Sequence, residues 1–209
     1  MNLEEKTVSQ EYKYKGRIIN LRCDTAMLPN GSVAGREVIE HPGGVCVVAE
    51  DGEGNILFVK QFRYPYKEVL YEIPAGKRDN QTEEPVICGK RELKEETGAT
   101  AENYYDLGML YPSPGYCGEI IYMFAADGLS FGKQNLDEDE FLSVERIPLK
   151  KAVSMVLDGE IVDAKTQTAI LKYYLLKQNG SLRNTGDEEH RGRFSVLLKF
   201  SDNIKTYPR

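Results

Sequence analysis

Apolar residues along this chain fall into two rhythms, and each predicts a different element. From Gly43 onward the chain carries the runs Val45-Cys46-Val47-Val48-Ala49 and Ile56-Leu57-Phe58-Val59, separated by the polar turn Asp51-Gly52-Glu53-Gly54-Asn55. Short apolar runs bounded by turn residues predict buried strands, here joined as a hairpin. Further strands are expected at residues 104–110, 120–125 and 141–144. Helices are expected at residues 149–157, ending at Gly159, and at 164–177, capped by Asp163. Residues 9–41 read as short strands: 17–22 alternates loosely, and Pro29-Asn30-Gly31 marks a turn between two extended runs. Strands interspersed with helices imply an α/β sandwich, with a small antiparallel β unit in front of it.

The segment 76–99, GKRDNQTEEPVICGKRELKEETGA, breaks the pattern by charge. Read as a helix, it stacks Glu92 above Glu96 at i,i+4, with Glu95 three residues from Glu92. Like charges so stacked repel, and a hard divalent cation relieves the repulsion because carboxylate oxygens are the ligands Mg2+ prefers. Leu93 and Val86 supply an inward apolar stripe. Thr82 or Glu83 can cap the start, Pro85 suits the first turn and Gly98 the C-terminal end. The acidic face is then expected to look away from the core.

Composition bounds the rest. At 209 residues with 41% hydrophobic content the chain suits one packed domain plus an appendage. Residues 1–41 are expected to form the N-terminal β unit, 42–179 the main α/β domain and 180–209 a polar tail with a late apolar patch at 194–198. No apolar run approaches membrane-spanning length, and the N-terminus lacks the basic and apolar regions of a signal peptide. A soluble cytoplasmic protein with no membrane partner is therefore expected. Cys23, Cys46, Cys88 and Cys117 are scattered without metal-ligand spacing, which suits four reduced thiols. A net charge of -6 argues against nucleic acid as a partner. An acidic enzyme acting on an anionic substrate needs local positive charge instead.

The acidic helix resembles the Nudix box, G-x5-E-x7-R-E-U-x-E-E-x-G-U with U aliphatic. Glu83, Arg91, Glu92, Leu93, Glu95, Glu96 and Gly98 fall in register, and Ala99 takes the last aliphatic place. One departure stands: six residues, not five, separate Gly76 from Glu83. The extra one lies in a polar loop, where insertion costs little. The resemblance implies a Nudix α/β/α sandwich with a mixed sheet. It also implies a Mg2+ site, with Mn2+ as a substitute, built from Glu92, Glu95, Glu96 and the Ala75 carbonyl.

Three further segments are similar to the ADP-ribose pyrophosphatase branch of that family. In Val59-Lys60-Gln61-Phe62-Arg63 and Tyr71-Glu72-Ile73-Pro74-Ala75-Gly76, Arg63 matches the arginine used against the diphosphate, a planar fork suited to phosphate oxygens. Pro114 and Gly115 lie in Tyr111-Pro112-Ser113-Pro114-Gly115-Tyr116, with Pro114 sixteen residues after Gly98 as in ADP-ribose-specific members; Glu119 closes this loop. In the acidic loop Leu136-Asp137-Glu138-Asp139-Glu140, Glu140 matches the catalytic base and Glu138 is its reserve. Glu37 falls where relatives hydrogen-bond the base, and Tyr12, Tyr14, Phe62 or Tyr64 would stack on it.

The activity implied is Mg2+-dependent hydrolysis of ADP-ribose to AMP and ribose 5-phosphate. Arg91 would orient the carboxylates, Glu96 would hold metal, and Glu140 would accept the proton of the attacking water. Relatives place the base across a dimer, and an N-terminal appendage too small for its own core favours a homodimer with exchanged N-terminal units. Two alternatives remain open: another nucleoside diphosphate-X such as a nucleotide sugar as substrate, or a catalytically silent ADP-ribose-binding regulatory module. The intact Arg91, Glu92, Glu95 and Glu96 argue against the silent module.

Overall fold

The computed structural model describes residues 2–79 and 82–186. The chain runs through β1 (Lys6–Lys15), β2 (Asn20–Met27), β3 (Val33–Glu40), β4 (Gly44–Ala49), β5 (Asn55–Arg63), β6 (Glu68–Glu72) and β7 (Ala75–Lys77) into α1 (Pro85–Thr97). It continues through β8 (Ala99–Thr100), β9 (Asn103–Leu110), β10 (Ile121–Asp127), β11 (Ser130–Phe131) and β12 (Leu142–Pro148) to α2 (Leu149–Leu157) and α3 (Ala164–Gln178). The apolar patch expected at 194–198, with most of the polar tail, lies outside the described residues.

Two sheets carry the core. In the first, ordered β7-β4-β10-β9, β4 runs parallel to β10 while β7 and β9 run antiparallel to their neighbours, so the sheet is mixed. In the second, β5 lies between β12 and β6, antiparallel to both. The side-chain alternation of a strand divides this core into two layers. Val45, Val47 and Ala49 of β4, with Tyr122, Phe124 and Ala126 of β10, pack with Cys88 and Leu93 of α1. Cys46 and Val48, with Met123 and Ala125, pack with Ala152 and Met155 of α2 and Ala169, Ile170 and Tyr173 of α3. Helices on both faces make the α/β/α sandwich.

The expected hairpin between β4 and β5 does not form. The strands enter different sheets and, among the described residues, pair with each other only through the isolated Glu50–Ile56 bridge. Each is flanked on both edges by other strands, β4 by β7 and β10 and β5 by β6 and β12, so neither has an edge left for the other. Apolar composition reports burial on both faces and says nothing of the hydrogen-bonding partner. The turn between them is an Asp51-centred loop whose Oδ1 accepts the amides of Glu53 and Asn55, both at 2.9 Å.

The antiparallel N-terminal unit is a β1-β2-β3 meander. Its second strand begins at Asn20, since the Gly16 amide donates to the Ile19 carbonyl at 2.9 Å and closes a turn where residues 17–19 were expected to extend. It meets the remainder of the chain at Ile39, whose amide donates to Tyr116 O at 2.8 Å and whose carbonyl accepts from Gly118 at 2.9 Å. No helix among the described residues is long and apolar enough to cross a membrane.

Candidate active site

Helix α1 owes its position to the residues around it. Pro85 takes the first turn, and Glu84 rather than Thr82 or Glu83 is the N-cap, without a side-chain cap bond. Glu83 is engaged elsewhere: its carboxylate accepts the Asp79 amide at 2.8 Å and Arg91 Nε at 3.3 Å. Gly98 ends the helix in the left-handed region, at φ 70°, as a C-terminal glycine should. Gly89 lies flat on β4: a Cβ there would lie 3.2 Å from Val47. The helix therefore sits close to the sheet.

The acidic face of α1 is only partly turned to solvent. It turns toward β7, where a Cβ on Gly76 would meet the Glu92 carboxylate at 2.0–2.2 Å. The residue that aligns with the first glycine of the motif is thus the one that must lack a side chain, despite the inserted loop residue. Glu96 is 2% exposed, and its Oε2 accepts the Ala75 amide at 3.0 Å. Burial, with Glu140 and Glu92 nearby, pushes its carboxyl up to about 8, although the Ala75 amide opposes the shift. Glu92 is pushed up to about 7, again by burial, with Arg91 pulling the other way. The expectation of an outward acidic face holds for Glu95, whose side chain is 35% exposed, and fails for Glu96, which the segment entering β7 covers.

Arg91 ties the cluster together. Its Nη1 donates to Glu92 Oε1 at 2.8 Å and Glu95 Oε2 at 3.0 Å, its Nε to Glu83, and its Nη2 to Lys77 O at 3.2 Å. With these oxygens turned to Arg91, no three carboxylate, thiol or imidazole groups among the described residues converge as a ready-made metal cage. The donor chemistry nevertheless fits a hard cation. Glu96 is a buried carboxylate with no cationic side chain in ion-pair range among the described residues. Glu92 and Glu140 add like charge beside it. A buried anion so placed is costly unless a cation joins it.

Glu140 lies beside this cluster. Its Oε1 accepts Gln61 Nε2 at 3.4 Å, and burial together with the charge of Asp137 raises its carboxyl above the ordinary range. It is half-buried where Glu138, on the same loop, is exposed. Arg63 also approaches, yet its fork is occupied: Nε and Nη2 donate to Glu72 at 2.5 and 2.6 Å. Glu119 closes on His41, 3.3 Å from its Nδ1.

A second feature lies between the N-terminal unit and the proline loop, a groove of about 530 Å3 lined by Cys23, Asp24, Gly35, Arg36, Glu37, Gly115 and Tyr116. The structure brings Glu37 and Gly115 together there. Pro114, exposed at the tip of a turn closed by the Cys117 amide on Ser113 O at 2.9 Å, is not among the lining residues. Tyr12, Tyr14, Phe62 and Tyr64 are all exposed and line no part of it; Tyr116 does.

Sequence reasoning missed Glu72, Lys165, Gln61 and Tyr116. Lys165 carried a signal: a lysine in the first turn of α3 opposes the helix dipole and calls for an anionic partner. That partner is Glu72, to which Lys165 Nζ donates.

Residues 40–192 match the model of the NUDIX domain, and residues 5–39 that of the nucleoside diphosphate sugar hydrolase N-terminal domain. The chain is 44% identical over 179 residues to an ADP-ribose pyrophosphatase of Bacillus subtilis (strain 168), covering 85% of this chain and 96% of that protein. It is 41% identical over 170 residues to a methanol dehydrogenase activator of Bacillus methanolicus, covering 80% and 91%. Among solved structures, a crystal structure of an ADP compounds hydrolase superposes with a TM-score of 0.75 at 21% identity, covering 87% of this chain and 99% of the other.

Proposed function

Because the chain belongs to the Nudix family, we propose that it hydrolyses the diphosphate bond of ADP-ribose to AMP and ribose 5-phosphate, with Mg2+ or Mn2+ as cofactor. The observation that carries this reading is the buried, under-partnered Glu96 beside Glu92, facing the segment that begins β7. Glu92, Glu95, Glu96 and the Ala75 carbonyl would hold the metal. When bound, divalent cations neutralise diphosphate oxygens and acidify water. Arg91 holds Glu92 and Glu95 in place through charge-assisted bonds. Glu140, next to the carboxylates and raised toward neutrality, takes the proton of the attacking water. Arg63 meets the diphosphate, and the groove holding Glu37, Gly115 and Tyr116 takes the nucleoside end.

We read residues 1–41 as the unit for base recognition and dimerisation. All ten residues of β1 are exposed, including Val8, Tyr12 and Tyr14, and such a strand is well suited to a partner subunit. The four cysteines are free thiols, in keeping with the cytoplasm.

A panel of diphosphates assayed with Mg2+ for AMP and phosphate release tests the reading. ADP-ribose should show the highest kcat/KM, ahead of UDP-glucose, NADH and nucleoside triphosphates; a clear preference for one of those refutes the substrate. A nucleotide sugar is the second reading, favoured by the N-terminal match to nucleoside diphosphate sugar hydrolases.

A further inference from the structure

Behind Arg63 lies a buried ion network that the hydrolytic site does not use. Glu72 is 1% exposed and carries two cations, Arg63 on both oxygens and Lys165 on Oε2. Lys165 Nζ also lies 3.1 Å from Asp163 Oδ2. The three differ in freedom. Glu72 ends β6 just before Ile73, whose amide donates to Thr166 Oγ1 at 3.1 Å, while Thr166 Oγ1 and N bond the capping Asp163 at 2.6 and 2.9 Å. Two residues further, Ala75 is held by Glu96. Glu72 and Lys165 are thus fixed by backbone anchors, and their side chains are 2% and 12% exposed. The Arg63 side chain is 38% exposed and is the member able to leave.

Leaving has an electrostatic condition. A buried carboxylate stripped of its cation is strongly disfavoured. Burial alone would raise the Glu72 carboxyl, and Arg63 and Lys165 together hold it below the ordinary range. With Lys165 in place, Glu72 keeps one cation when Arg63 departs.

We propose that Lys165 is a positioning residue that releases Arg63: by keeping Glu72 paired, it lets the Arg63 guanidinium pass from its resting place on Glu72 to the substrate diphosphate. The inference rests on the reading that Arg63 meets the diphosphate. Glu72 on this view parks Arg63 rather than aiming it, and Lys165 sets how tightly it is parked.

Steady-state kinetics of the full chain with ADP-ribose and saturating Mg2+ test this. Lys165→Met should raise KM by about tenfold or more while kcat changes only a few-fold, since Arg63 becomes the sole cation on a buried anion. Adding Glu72→Gln to that variant removes the anion and should bring KM back to within about threefold of the wild type, a rescue that a merely structural lysine would not show. Glu72→Gln alone should leave KM at or below the wild-type value, and it keeps the test available if Lys165→Met does not fold. A wild-type KM in Lys165→Met, no rescue in the double variant, or a rise of about tenfold in KM for Glu72→Gln overturns the proposal. Arg63→Ala separates the two layers: an unchanged KM there refutes the role of Arg63 in diphosphate binding, whereas a raised KM with no response to Lys165→Met refutes only the release by Lys165.

Discussion

Gly76 and Glu92 are in such close contact that no room is left for a single methyl group on residue 76. A Cβ at residue 76 would stand 2.0 Å from the Glu92 carboxyl carbon. The obstructing atoms are the far end of a flexible side chain, so Gly76→Ala should displace the carboxylate rather than unfold the protein. The expected outcome is a loss of about tenfold or more in kcat with a shift of no more than a few degrees in Tm. Turnover and thermal melts on the same preparation check it, and a wild-type kcat would mean that Glu92 need not occupy this position.

Glu96 offers the sharper test of the metal reading. Glu96→Gln keeps size and helix propensity, and the amide oxygen can still accept from the Ala75 N–H that Oε2 now meets at 3.0 Å. It removes one anionic oxygen from a buried place. Turnover should fall by about a hundredfold or more, the scale seen when electrostatic catalysis is disrupted, with the fold intact by circular dichroism. Near-normal turnover would sink the assignment.

The same carboxylates make the metal-free protein sensitive to pH in a predictable direction. In the fold Glu96 titrates at about 8 and Glu92 at about 7, both raised chiefly by burial, whereas an unfolded glutamate titrates at about 4.3. Between those values the folded chain binds more protons than the unfolded one, so stability falls as pH rises through the window and is complete below it. In EDTA, Tm should therefore be higher near pH 5.5 than near pH 8.5. Glu96→Gln should lose part of that slope, and Mg2+ should flatten it while releasing protons, measurable by calorimetry in two buffers of different ionisation heat. An equal slope in wild type and Glu96→Gln would show that Glu96 is not the group responsible.

What the chain disclosed beforehand follows from the range over which each signal acts. Helices α2 and α3 were readable because their signals are local: apolar periodicity, the Asp163 cap and the glycine stop act within a few residues. The carboxylates of α1 were readable for the same reason, being spaced along one helix. Strand pairing was not. Val45–Ala49 and Ile56–Val59 are adjacent in sequence and equally apolar, and only the competition of β6, β7, β10 and β12 for their edges decides that they part. The burial of Glu96 is not legible either, because the loop that covers it comes from residues about twenty positions away. Nor is the Glu72–Lys165 pair, 93 residues apart, where one helix start meets one strand end.

The acidic loop supplies the last prediction, because two glutamates compete for one role and the structure treats them differently. Glu140 is half-buried, bonded to Gln61 at 3.4 Å and close enough to raise the carboxyls of Glu92 and Glu96, whereas Glu138 is exposed. A proton acceptor must reach the water that attacks, so proximity to the carboxylate cluster favours Glu140, and its raised carboxyl brings it nearer the pH at which it would work. Glu140 sits on a loop and not among the carboxylates of α1. Its removal should therefore spare substrate binding and lower kcat, the pattern of a group engaged in the transition state. With saturating Mg2+, Glu140→Gln should lose about a hundredfold in kcat at nearly constant KM, and Glu138→Gln should stay within about twofold of the wild type. A loss confined to Glu138→Gln would transfer the role to that residue. No loss in either would leave Glu119 or a carboxylate of α1 to activate the water.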